Sequence, residues 1–120
     1  MANPNIFNAT SVKGFNTTNT LTSASATTIC SNSAASGKLV VIKSLYITNM
    51  DSADGSAYTI DLVANDGSND GNLTKNLSVP AATTIQVIDK PVYLEENSTL
   101  NATPSSANFL DYVISFQEIS

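Results

Sequence analysis

The sequence predicts an all-β chain: an antiparallel β-sandwich or jelly-roll-like fold of about eight short strands with an N-terminal arm. Three observations lead there. Ser, Thr and Asn fill 44 of the 120 positions while charged residues make up only 12%, so the surface must consist largely of neutral hydroxyls and amides. Exposed helix faces draw on Glu, Lys, Arg and Gln, whereas Thr favours the pleated sheet and Asn and Ser favour turns. Apolar residues recur every second position in short runs, no adequate window shows helical periodicity, and clusters of Gly, Pro, Asn and Asp separate the runs. A chain of 120 residues with 42% apolar content is long enough for one core. The expected organisation is an arm over residues 1–15 and a single β-sandwich domain over 16–120, with no repeat of solenoid or propeller length.

Residues 1–37 are the most polar third, with Leu21 and Ile29 the long aliphatic side chains of "NTTNTLTSASATTIC". Ile6, Phe7, Val12 and Phe15 are too sparse for an amphipathic helix and too regular for a solvated tail. They read as an arm docked on another chain through Ile6, Phe7 and Phe15, or as a strand of the domain's own sheet. In "GKLVVIKSLYITNMD", Val40 and Ile42 fall on one parity and Leu45 and Ile47 on the other, which predicts a bulge near Lys43 and Ser44. "SAYTIDLVA" alternates cleanly, Tyr58, Ile60, Leu62 and Ala64 against Thr59 and Asp61, as a half-buried antiparallel strand does. In "NLTKNLSVP", Lys75 shares a parity with Leu73, Leu77 and Val79. It reads as an inward lysine guarding a sheet edge, or as one half of an ion pair across a subunit boundary. "TTIQVIDKPVYLEE" gives two short strands broken at Pro91. "STLNAT" and "FLDYVISFQEIS" complete the set, and the apolar face Leu110, Tyr112, Ile114, Phe116 marks the last strand as central.

Charge and composition narrow the chemistry. The chain carries five lysines, no arginine, no histidine and a formal charge of −5, which is not the cationic footprint of nucleic-acid binding. Without histidine, Ser-His-Asp triads and most zinc sites drop out. Cys30 has no partner for an internal disulfide and no histidine to activate it, and reads as packed. Neither a basic leader with a signal-length apolar run nor an apolar stretch of about 18 residues is present, so the expectation is a soluble chain without membrane contact. The six Asn-x-Ser/Thr sequons read as a by-product of Asn and Thr richness. No cofactor and no metal are expected.

The acidic loops read as turns. "NDGSNDG", residues 65–71, and "DSADG", residues 51–55, lack the calcium-loop register, and no glutamate follows until Glu95. Asp-Gly and Asn-rich tips are what hairpins favour. Glu95 and Glu96, as strand neighbours, would point to opposite faces and could not flank one bond together, and they read instead as the start of the turn "EENS". An enzyme would need two of Asp61, Asp89, Asp111, Glu95 and Glu118 to converge, and nothing in their spacing predicts it.

The segments "MANPNIFNATSV", "SGKLVVIKSLYITNMD", "LSVPAATTIQVIDKPVYLEENSTLNAT" and "ISFQEIS" together resemble small virion structural proteins of tailed bacteriophages, particularly those of marine bacteria and cyanobacteria. Asn97 and Ser98 stand where that group has Gly-Asp, which leaves the turn type open. The resemblance implies a non-enzymatic capsid decoration or cement protein on the virion surface, made in the host bacterial cytoplasm. Its partners would be the major capsid protein or other virion proteins and its own copies, as a homotrimer. The alternative is a tail, neck or fibre-associated module that binds host-surface carbohydrate.

Overall fold

The computed structural model describes residues 8–120, and these form two antiparallel sheets packed as a β-sandwich. The strands are β1 (Val12–Thr20), β2 (Thr27–Asn32), β3 (Leu39–Asn49), β4 (Tyr58–Asn65), β5 (Asp70–Val79), β6 (Thr84–Ile88), β7 (Val92–Leu94), β8 (Ser98–Pro104) and β9 (Leu110–Ile119). The first sheet runs β1-β9-β3-β6, with β7 also pairing β3, and the second runs β2-β8-β4-β5. Pro91 separates β6 from β7, as its missing N–H requires. The last strand lies centrally, paired with β1 on one side and β3 on the other.

One core fills the space between the sheets. Val40, Ile42, Leu45 and Ile47 from β3 meet Leu110, Tyr112 and Ile114 from β9, facing Ile60, Leu62, Leu100 and Ala102 from the second sheet. The β3 side chains share that face because the β3–β9 register shifts between Ile42 and Ser44. Lys43 is the extra residue, left exposed, and the strand changes parity there. A second cluster, Leu39, Val41 and Ile119 with Ala9, lies apart from the main core.

Two buried asparagines tie loops to this frame. Asn49 Nδ2 donates to the carbonyls of Ser56 (2.9 Å) and Val79 (3.0 Å), and its Oδ1 accepts from the Asp51 N–H (2.9 Å). Asn32 Nδ2 donates to the carbonyls of Lys38 (2.8 Å) and Leu94 (2.9 Å), and its Oδ1 accepts from the Ser36 hydroxyl (2.6 Å). Each side chain replaces hydrogen bonds that an irregular segment cannot make with a neighbouring strand.

The β5 side chains depart from the expected phase. The β4–β5 ladder shifts between Ile60 and Leu62, where Leu62 faces Thr74 and Ile60 faces Leu77. Asn76 sits there at φ 52°, and the Thr74 hydroxyl accepts from the Leu62 N–H (3.0 Å) while donating to the Ile60 carbonyl (3.1 Å). Leu77 and Val79 point inward, but Leu73 and Lys75 are exposed. Lys75 is therefore not an inward lysine: the bulge breaks the period of two that placed it there.

Candidate functional site

Of the four residues expected at an interface, Ile6 and Phe7 lie outside the described residues. Phe15 lies on β1, so residues 12–15, grouped above with the arm, form the first part of a strand paired with β9. Its ring stacks on Phe116 at 5.3 Å between centroids and an interplanar angle of 20°, yet 41% of the residue remains exposed. Lys75 Nζ is 3.3 Å from Asp61 Oδ2 within the same chain. Phe15 and Lys75 thus sit on edge strands of different sheets and do not form one site.

The 65–71 loop is a hairpin tip held by its own side chains. Asn65 pairs with Asp70 across the end of the β4–β5 ladder, and Asn65 Nδ2 donates to Asp70 Oδ1 (2.6 Å). Asp66 Oδ1 accepts from the Ser68 (2.9 Å) and Asn69 (2.7 Å) amides, and Asn65 Oδ1 accepts from the Gly67 amide (2.7 Å). The Asn69 and Ser68 amides hold the Asp66 carboxyl below its usual range. Gly67 adopts φ 97°, with an added Cβ only 2.9 Å from Asn97 Nδ2 and 3.1 Å from Asn97 O. The tip therefore rests on the β7–β8 turn, closed by the Ser98 N–H donating to the Glu95 carbonyl (3.1 Å). Asn97 takes φ 65° in that turn, the left-handed conformation that Gly or Asn adopts most readily.

A surface depression of about 420 Å³ lies between the two turns, with Asn69 and Asp70 on one side and Tyr93 and Glu95 on the other. Tyr93 is 58% exposed. Asp61, Asp111 and Glu118 are not among the residues that line it and are engaged locally, while Asp89 lies exposed just past the end of β6. Asp61 Oδ1 accepts from the Asn76 amide (2.6 Å), which with Lys75 holds it below the usual carboxylate range. Asp111 accepts the Thr20 hydroxyl, and Glu118 lies 3.1 Å from Lys38 Nζ. Glu95 is exposed and Glu96 buried where the β7–β8 turn begins. Among the described residues no group of three or more Asp, Glu, Cys or His could hold a metal ion. Cys30 is buried, and that burial pushes its thiol up to about 11.

The broadest feature is a sheet face. Alternation along the first sheet's registers puts Val12, Asn16, Thr18 and Thr20 of β1 on the side away from the core, beside Val113, Ser115 and Gln117 of β9 and Tyr46 and Thr48 of β3. Tyr46 and Val113 are direct neighbours, 40% and 39% exposed. Hydroxyl and amide pairs link the strands: Ser115 donates to Asn16 Oδ1, and Thr48 meets Thr84 at 2.8 Å. Asp111, bonded to Thr20, is the one carboxylate these strands place on that side, and the exposed bulge residue Lys43, beside Asn16, Ser115 and Gln117, is the one lysine there. Composition announces such a largely neutral surface, but which strands share it depends on the Lys43 bulge. No family model, curated protein or solved structure matches the chain.

Proposed function

We propose that the chain is a non-enzymatic structural protein of a bacteriophage virion, a capsid decoration or cement protein that stabilises the shell by contacts with capsomers and with its own copies. The observation that carries this reading is the outer face of the first sheet, Tyr46 and Val113 set among Thr, Ser and Asn with Lys43 and Asp111 as its only charges among the strand residues described. Neutral hydroxyls and amides lose less on desolvation than ionised groups, and water can bridge their imperfect pairs, so such a face suits a contact repeated over a lattice. A trimer would fit the local threefold positions of a shell. The test is to locate the chain in a density map of the whole particle. Density for the sandwich on the outer shell supports the reading, and its absence from purified particles overturns it. Removing residues 1–7 and measuring occupancy probes the arm, because cutting through residue 15 would also remove part of β1 and expose β9.

A second reading, a tail or fibre module that binds carbohydrate, is favoured by one observation. Exposed Tyr93 stands beside Asn69, Asp70 and Glu95 at the depression between the two turns, an aromatic ring next to polar side chains as sugar binding uses. Saturation-transfer NMR with host-surface glycans, lost in Tyr93→Ala, would select it over the shell role.

A further inference from the structure

Among the described residues the sandwich has four sheet edges, and three are interrupted. β5 carries two register shifts, left-handed Asn76 and the exposed Lys75–Asp61 pair. β2 shifts register between Thr28 and Cys30, and the β6/β7 edge is broken around Pro91. Shifts, lysines and prolines are the devices that keep an edge from recruiting a foreign strand. β1 has no register shift and no proline. It matches β9 through nine consecutive pairs, Val12 to Thr20, and Val12 through Asn19 are all exposed. Among the described residues β1 pairs with β9 alone, so its other side offers N–H and C=O groups to an added strand.

We propose that β1 is an assembly edge to which a second copy of this chain adds its own β1 antiparallel, so that two sandwiches share one continuous sheet. The strand's own chemistry selects that occupant. Lys13 is its only charge, and full overlap centred on Asn16 places Lys13 opposite Asn19 of the second copy, Phe15 opposite Thr17 and Asn16 opposite itself. Identical strands therefore meet without like charges facing. Val12 and Phe15, 59% and 41% exposed, gain cover. The contact is isologous and closes with two copies. It deepens the structural-protein reading by assigning the self-contact to one strand, separate from any threefold grouping, but depends only on how the isolated chain behaves.

Sedimentation equilibrium of the full chain, with two variants of one residue, tests it. Asn19→Lys sets two ammonium groups opposite each other twice across the axis and weakens association roughly tenfold, whereas Asn19→Glu faces Lys13 and strengthens it by a similar factor that salt removes. Asn19 accepts from the Thr20 amide and is hydrogen-bonded to Tyr112, so the cooperative melting of each variant is measured alongside, and a change in association is counted only where the fold's stability does not change with it. Oxidised Asn16→Cys should give a covalent dimer, and Thr28→Cys on β2 should not. A monomer up to near-millimolar concentration, parallel shifts in both variants, or no cross-link at Asn16 overturns the proposal. So does association that appears only after residues 1–7 are removed, because the chain itself would then hold the edge. None of these outcomes bears on whether the protein is found on a particle.

Discussion

The two buried asparagines show how much a single side chain can carry when it replaces a ladder. Asn49 is 1% exposed and satisfies two carbonyls and one amide, from the β3–β4 loop and the end of β5. Asn49→Ala should orphan all three groups and cost about 2–4 kcal/mol, read as a lower denaturant midpoint with unchanged slope. Asn49→Leu should not restore it, because shape without donors leaves the carbonyls unpaired. Asp51, next but one along the chain, works by charge. Its carboxylate accepts from the Ser56 amide (3.1 Å), the Ser52 amide (2.8 Å) and the Tyr58 hydroxyl (3.0 Å), and these bonds hold it below its usual 3.8. A carboxyl lowered in the fold adds stability that is present above pH 3.8 and is lost as pH falls through the lowered value. Asp51→Asn should therefore flatten the acid limb of a melting-temperature profile in that window. Neither role was legible in the sequence, since Asn49 and Asn32 look like any other polar residues in an Asn-rich chain. Only the geometry shows that they point inward.

At the scale of elements, what the sequence revealed depended on whether a strand's bulge left a mark in the apolar pattern. β3 declared its own: Val40 and Ile42 against Leu45 and Ile47 cannot share a face without an extra residue, and Lys43 is that residue. β5 concealed its bulge, because Leu73, Lys75, Leu77 and Val79 alternate perfectly while Asn76 turns left-handed and shifts Lys75 outward. Periodicity records side-chain spacing, not the backbone's phase. The paired turns tell a similar story: Asp-Gly announced a hairpin tip, but not that the tip rests on the β7–β8 turn. Gly67→Ala would place a methyl group 3.1 Å from the Asn97 carbonyl at φ 97°, and should destabilise the fold by about 1–3 kcal/mol. Asn97→Gly in that background removes the Nδ2 clash and relieves the left-handed strain, so it should recover part of the loss in a urea titration. The carbonyl contact stays and limits the recovery.

For the whole molecule, the proposed role requires one slab to remain rigid while a largely neutral face meets its neighbours. The sandwich measures 52 × 26 × 20 Å, with a radius of gyration of 15.1 Å against roughly 13–14 Å for a compact domain of its length. Such a shape offers a broad sheet face for its mass. Tyr46 and Val113 lie near the middle of that face and are only partly covered, so charging them should leave the core intact. Tyr46→Asp with Val113→Asp puts two carboxylates side by side on adjacent strands, and the isolated fold should lose only about 0.5–1 kcal/mol from their repulsion. If this face meets the shell, the same pair must be desolvated against a neighbour, and occupancy on purified particles should fall at least tenfold while the free protein still melts cooperatively. Wild-type occupancy should survive high salt, because few ions are released when surfaces with so few charges meet. Full occupancy of the double variant would move the contact to the second sheet or to the loops, and salt-driven release would show that ion pairs hold the protein in place.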